Sequence, residues 1–318
     1  MPSSLPPPAP QIQNSWQRKR VIMISKRIPF EADDEIADED LVSQAQAGEW
    51  KALEALIQRH QLWVFNIAIR MLNSREDAED ATQEILLKIV TKLGSFQQRS
   101  AFRTWLYRIA VNHLLSTRES AAERQRMSFT NMEREMANMP DRELPDPRSV
   151  PVDLPLLVEE ARISCMVGML LCLDRRQRMA FILGEVFGVT DRVGAELMEV
   201  TAANFRQILA RSRRDLYRFM NDTCGLVNRA NPCRCARKTS SFIASGFVDP
   251  ANLQFADERV QQVHAHASDR LAELRELADR QYAVLYREHP LVPVPDQAQR
   301  LRQLLAEPAV QHLFDPAG

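Results

Sequence analysis

Residues Arg103 to Arg118 read RTWLYRIAVNHLLSTR, and with Phe102 just before them they set aromatic rings among arginines and an asparagine. No nucleophile–base pair or metal-ligand set accompanies them, so the chemistry they offer is binding. Cations hold phosphates, rings stack on bases, and a polar loop can hold an unpaired nucleotide. At about 100° per residue, Phe102, Trp105, Leu106, Ile109, Ala110 and Leu114 share one helical stripe. That stripe assigns Trp105 to a core and leaves Arg103, Thr104, Tyr107, Arg108, Asn112 and Arg118 exposed beside the loop SFQQRS, Ser95 to Ser100. Taken alone, the stretch also fits an ordinary helix covering a hydrophobic core.

A second candidate is TDRVGAELMEVTAANFRQILARSRRDLYRF, Thr190 to Phe219. A short helix (Asp191 to Met198), a turn at Glu199 and Val200, and a second helix capped by Thr201 give helix-turn-helix spacing. On the second helix Phe205, Ile208, Leu209, Ser212, Leu216 and Phe219 form a core stripe. Gln207, Arg211, Arg214 and Arg218 lie opposite, where phosphates would be met. The competing reading is a surface helix with solvated arginines.

A third is EDAEDATQE, Glu76 to Glu84, in which Asp80, Gln83 and Glu84 cluster at helical spacing. In isolation this is a solvated face. The fourth is TCGLVNRANPCRCARKT, Thr223 to Thr239, with Cys224, Cys233 and Cys235. Three thiols without a nearby histidine fall short of the usual four zinc ligands. Arg229, Arg234, Arg237 and Lys238 are expected to lower the thiol pKa values. Inert reduced cysteines, a redox switch, and a zinc site completed by His264 or His266 all stay open.

The elements that position these groups follow from composition. With 9 glycines in 318 residues and no runs of alternating Val, Ile and Thr, the chain reads as all-α. Residues 1–35 are proline-rich, then acidic, and are expected to be disordered. Helical pattern fills 36–120, where Ser74 is the expected cap of a helix carrying Asp77 three residues on. Prolines at 140, 145, 147, 151 and 155 mark 121–155 as an extended, flexible linker. Helices resume over 156–222, and 223–318 form a cysteine-containing helical extension with a long helix near Asp257 to Glu288. The formal net charge is -1, but it is unevenly placed: EADDEIADED (Glu31 to Asp40) is acidic and Phe205 to Phe219 is basic. No run approaches the roughly 18 apolar residues of a membrane span. The expectation is a cytoplasmic, non-secreted protein.

The order of these motifs resembles a family. DLVSQAQAGEWKALEALIQRH, DAEDATQEILLKI and FRTWLYRIAVN are similar to the second conserved region of bacterial RNA polymerase sigma factors, and the helix-turn-helix resembles their fourth. With no room for a folded third region, the likeness is to the extracytoplasmic-function type. The resemblance implies a non-enzymatic transcription initiation factor whose partners are core polymerase, through the clamp helices of its largest subunit and its flap, and promoter DNA. It also leaves room for an anti-sigma factor. It implies polymerase docking by Asp77, Asp80, Gln83 and Glu84. It implies capture of a −10 base by Gln97, Gln98, Arg99 and Ser100, and melting by Arg103, Tyr107, Arg108 and Asn112. Reading of the −35 element falls to Thr201, Ala203, Asn204, Arg206, Gln207, Arg211 and Arg214. Three departures stand out: Glu199 occupies the turn where the family usually has glycine, Ile208 a place it usually gives to a basic residue, and Ser116 and Thr117 the place after the melting helix where it commonly has an aspartate. The rival class is a stand-alone helix-turn-helix regulator, which has no use for the acidic docking patch.

Overall fold

The computed structural model describes residues 37–119, 123, 128–256, 285–287, 289 and 291–306, and every regular element among them is helical. The expected disordered tail lies outside these residues. So do His264, His266 and nearly all of the helix expected near Asp257 to Glu288.

The first bundle is built from four helices. α1 (Asp38–Gln46) opens with Asp38, Glu39 and Asp40, whose charges suit the positive end of a helix. α2 (Trp50–Leu72) ends at Asn73, held at φ 51° in the left-handed conformation that closes helices. Ser74 then caps α3 (Arg75–Leu93), accepting the Asp77 N–H at 3.2 Å as the sequence suggests. α4 (Phe102–Ser116) completes the bundle. Val42, Phe65, Ile69, Ile85, Phe102 and Leu106 are among the side chains buried at its centre.

The proline-rich segment differs from expectation. α5 (Phe129–Asn138) occupies its first half, capped by Ser128 accepting the Asn131 N–H at 3.1 Å. Its prolines begin only at 140, so nothing upstream blocks a helix, and Phe129, Met132 and Met136 recur on one face. Met132 is buried, and the Phe129 ring lies 5.2 Å from that of Phe219. Beyond α5 the chain is pinned rather than loose. Ser241 donates to the Pro140 carbonyl at 2.7 Å, the Arg142 N–H to that of Arg237 at 3.0 Å, and Lys238 to that of Met139.

α6 (Leu154–Leu170) starts with Pro155 in its first turn, where a missing N–H costs nothing. α7 (Arg175–Phe181) begins with a reciprocal capping box between Asp174 and Gln177 and runs on as a π turn over Ile182–Val186. α8 (Asp191–Leu197) and α9 (Ala202–Thr223) are the helix-turn-helix, capped by Thr190 and Thr201. They cross closely at Gly194, where an added Cβ would lie 2.3 Å from the Phe205 ring.

Glu199 takes the turn at φ 52°, a conformation that costs a side chain with a Cβ. Its ion pair to Arg108, at 3.9 Å, is long and solvated. Glu199→Gly is therefore expected to stabilise the protein by about 0.5–1 kcal/mol, after the entropy glycine adds to the unfolded chain. A lowered urea midpoint would contradict this.

The two halves share one apolar core. α4 packs against α3 on one side and against α8 on another. Trp63 of α2 meets Phe187 at 4.6 Å, and buried Arg178 of α7 donates to the Met71 carbonyl and pairs with Glu123 at 2.7 Å. The extension folds back onto both halves. α10 (Cys235–Ala244) lies along α6, and buried Glu160 of α6 accepts three successive N–H groups, from Gln254, Phe255 and Ala256, at 2.7–2.9 Å. Asn66 of α2 both donates to and accepts from the Val292 backbone, at 2.9 and 2.8 Å. α11 (Gln297–Ala306) then rests on α2 and α3, where Arg300 meets Glu79 at 3.4 Å and Arg302 meets Glu54 at 2.5 Å.

Candidate polymerase and nucleic-acid interface

α4 is organised around one buried carboxylate. Asp38, 4% exposed, is held by Arg59 and Arg103 at 2.6 Å and by His60 at 3.2 Å. Burial opposes its ionisation, but His60, Arg103 and Arg59 overcome that and hold the carboxyl well below its ordinary range. The same node buries Tyr107, whose hydroxyl lies 3.1 Å from His60 Nδ1. Burial drives the Tyr107 pKa upward.

The expected exposure of Tyr107, Thr104 and Arg103 is thus corrected: Tyr107 and Thr104 are buried, and Arg103 is a half-buried anchor. Trp105 moves the other way. It is half-buried, its ring edged by Phe96 at 5.0 Å and Phe102 at 5.7 Å.

Asp38→Asn is expected to cost about 2–3 kcal/mol at neutral pH, because the charge-assisted bonds go while two half-buried arginines remain. Since the folded pKa is depressed, this contribution is full above the ordinary carboxylate value near 3.9 and fades as pH falls below it. Urea midpoints of wild type and variant should therefore converge in acid. A constant gap would contradict the assignment.

On the outer side of α4, Asn112 is exposed and Arg108 half-exposed. In the loop that precedes α4, Gln97, Gln98 and Arg99 are exposed and Ser100 is half-buried. Gln98 adopts φ 53°, which turns this loop sharply. The loop and the outer side of α4 thus carry amide and guanidinium groups on the same bundle as half-buried Trp105, residue types suited to an unpaired strand.

On α9 the sorting follows the sequence reading. Phe205, Leu209, Ser212, Leu216 and Phe219 are buried, and Ile208 is half-buried beside them. Thr201, Ala203, Asn204, Arg206, Gln207, Arg211 and Arg214 are all exposed. Arg206 pairs with Asp191 and Arg213 with the buried Glu185, so those two cations are partly engaged within the fold.

The acidic patch lies on α3 across from its buried Ala78, Ala81, Thr82, Ile85 and Leu86. Asp80 and Glu84 are exposed one turn apart, with Asp77 and Gln83 half-buried beside them. Glu84 also lies 3.5 Å from His113, whose pKa burial and Lys88 lower while Glu84 opposes them.

The cysteines depart from expectation. Burial comes first and pushes the thiols up, Cys235 to about 12, outweighing the cations near them. Among the described residues no group of three or more His, Cys, Asp or Glu side chains could hold a metal ion. No helix among them is long and apolar enough to cross a membrane.

Residues 56–124, which span most of α2, all of α3 and α4, match the family model of Sigma-70 region 2, so this bundle is a sigma-factor domain. Over 186 residues the chain is 30% identical to the ECF RNA polymerase sigma-E factor of Escherichia coli (strain K12), covering 57% of this chain and 92% of that protein. It is also 37% identical over 75 residues to the RNA polymerase sigma-H factor of Pseudomonas aeruginosa, covering 24% of this chain and 39% of that one. It is 42% identical over 79 residues to the ECF RNA polymerase sigma-E factor of Haemophilus influenzae, covering 25% and 41%. In these last two matches the chain spans about two fifths of the relative's length. The solved structure of CnrH in complex with the cytosolic domain of CnrY aligns at TM-score 0.43 and 21% identity, covering 59% of this chain and 99% of that one, too loosely to fix a shared arrangement. The chain belongs to the ECF RNA polymerase sigma factors.

Proposed function

We propose that this protein acts in the cytoplasm, binding core RNA polymerase, directing it to promoters and holding the strand that opens there. The observation that carries the reading is the juxtaposition on one bundle of the exposed acids of α3 with the polar loop and outer edge of α4. A duplex-binding regulator needs only α9. Strand opening costs a few kcal/mol per extruded base. Stacking against an aromatic edge returns about 1–3 kcal/mol per base, and cations such as Arg99 and Arg108 add phosphate contacts.

The exposed side chains of α9 suit the −35 element, a separate site on the same duplex. With α8 packed on α4, the present arrangement is closed, and we propose that the halves part when both elements are engaged. The extension, which spans the two halves, would then set how readily they part. In vitro transcription from a promoter library, with core polymerase plus or minus this protein, tests the function. New transcripts that depend on the protein are expected. Their absence, with duplex DNA bound by the protein alone, would favour the stand-alone regulator.

A further inference from the structure

The last described element of the extension reaches the helix that carries the docking acids. α11 has two cations, Arg300 and Arg302, and no acid, whereas α3 has five acids, Glu76, Asp77, Glu79, Asp80 and Glu84. Arg300 meets Glu79 of α3 at 3.4 Å. Arg302 meets Glu54 of α2 at 2.5 Å, and its guanidinium lies 5.4 Å from the centre of the Trp50 ring. Glu79 directly precedes Asp80 and stands one turn from Gln83, so α11 borders the docking patch.

The hold on α11 is uneven. The segment leading into it is firmly tied: Val292 is buried and exchanges backbone bonds with Asn66, and Arg75 donates to the Pro293 carbonyl at 3.2 Å. α11 itself is seated by buried Ala298 and Leu301 and by Gln61, which accepts the Gln297 N–H at 3.0 Å. Arg300 and Arg302 are about half exposed, and solvated pairs of this kind add little. Against the seat stands the Gln297 side chain, buried with its amide oxygen and nitrogen unpartnered among the described residues, an arrangement that opposes burial. A short helix held in this way can leave while its tether stays in place.

We propose that α11 competes in cis for the polymerase-docking side of α3: it covers one flank of that side in the free protein and is displaced when core polymerase binds. The inference rests on the reading of α3 as the docking helix. Two effects act together. Packed helices lie about 8–10 Å apart, so a partner element set over Asp80 and Gln83 enters the space that α11 fills beside Glu79. Charge supplies the other effect. Arg300, paired with the residue next to Asp80, offsets part of the negative field that a cationic partner surface meets, and such fields reach about 8 Å at physiological salt. The extension thereby sets the polymerase concentration at which the factor engages.

The test titrates core polymerase against the full-length protein as wild type, as Arg300→Glu with Arg302→Glu, and as Leu301→Ala. The double reversal sets like charges against Glu79 and Glu54. Leu301→Ala loosens α11 while keeping both arginines, so it separates displacement from charge alone. A seat occupied about nine-tenths of the time weakens apparent binding about tenfold, and each variant should tighten binding by at least about threefold. Should a variant fail to fold, hydrogen exchange of the wild type with and without core polymerase decides. Amides of residues 297–306 should exchange faster in the complex, because a freed helix of 10 residues is marginal in water. Unchanged or weaker binding by both folded variants, or amides at 297–306 that keep or gain protection in the complex, would overturn the competition and leave docking by α3 intact. Wild-type protein that binds no core polymerase would overturn the docking reading and this inference with it.

Discussion

A protein carrying Asp80→Lys together with Glu84→Lys is expected to lose co-purification with core polymerase while keeping its helical circular dichroism. α3 is anchored by Ala78, Ala81, Ile85, Leu86 and Ile89 on its other side, and Glu84 reaches α4 only through its 3.5 Å contact to His113. Glu84 has 65% of its side chain exposed, so its removal leaves no hole. The local cost is small: a lysine at 84 meets Lys88 one turn on, a like-charge pair worth a few tenths of a kcal/mol. At an interface the same change acts far more strongly. Removing one partner of a docked charge pair typically costs about 2–5 kcal/mol, and reversal adds repulsion. Two reversals should weaken binding by more than about a hundredfold. The readout is pull-down of core enzyme against a thermal melt of the free protein. Normal pull-down with a normal melt would remove α3 from the interface.

The scaffold was legible wherever a local rule sets it. Ser74, Thr190 and Thr201 are caps by residue type, and each accepts the N–H three residues on. The stripe of α9 is readable because one face meets core and the other meets solvent. On α4 the same reasoning placed Trp105 inside and Tyr107 outside, and the structure gives the better-buried place to tyrosine. Two residues apart on a helix, they cannot share one direction, and their apolar character alone favours tryptophan. The deciding partner is His60, 47 positions away, which satisfies the Tyr107 hydroxyl inside the Asp38 node. No periodicity reports such a partner.

The expected linker failed for a different reason. Prolines restrict the backbone locally, so those from Pro140 onward leave residues 129–138 free to form α5. The thiols show a third kind of miss. Arginines adjacent in sequence suggested lowered pKa values, but burial, which only the fold creates, comes first and raises them. The acidic block Glu31 to Asp40 showed in the sequence only as uneven charge, yet Asp38 within it is the most enclosed carboxylate of the first bundle.

Burial of Tyr107 and Arg103 decides which side chains of α4 should matter for opening DNA. The combination Arg99→Ala, Arg108→Ala and Asn112→Ala is expected to abolish open complexes while leaving both polymerase binding and stability near wild type. Arg99 and Asn112 are exposed, and half-exposed Arg108 has only its long, solvated pair with Glu199, so truncation should change stability by about 0.5 kcal/mol or less each. Each contact to an unpaired strand is worth about 1 kcal/mol or more, and removing all three should reduce open complexes by at least about a hundredfold. Arg103→Ala and Tyr107→Ala should follow the opposite pattern. Truncating the buried ring costs about 3–5 kcal/mol of stability, and removing Arg103 unbalances Asp38, so their transcription defects should track unfolding and recover at lower temperature. Permanganate reactivity of unpaired thymines measures opening, and its salt dependence separates the two explanations. Removing one phosphate contact lowers the slope of log binding against log salt by about 0.7 for a single strand, a change that misfolding does not produce. Undiminished thymine reactivity in the triple variant, or an unchanged salt slope, would remove the outer side of α4 from the melted strand and return it to ordinary solvated surface.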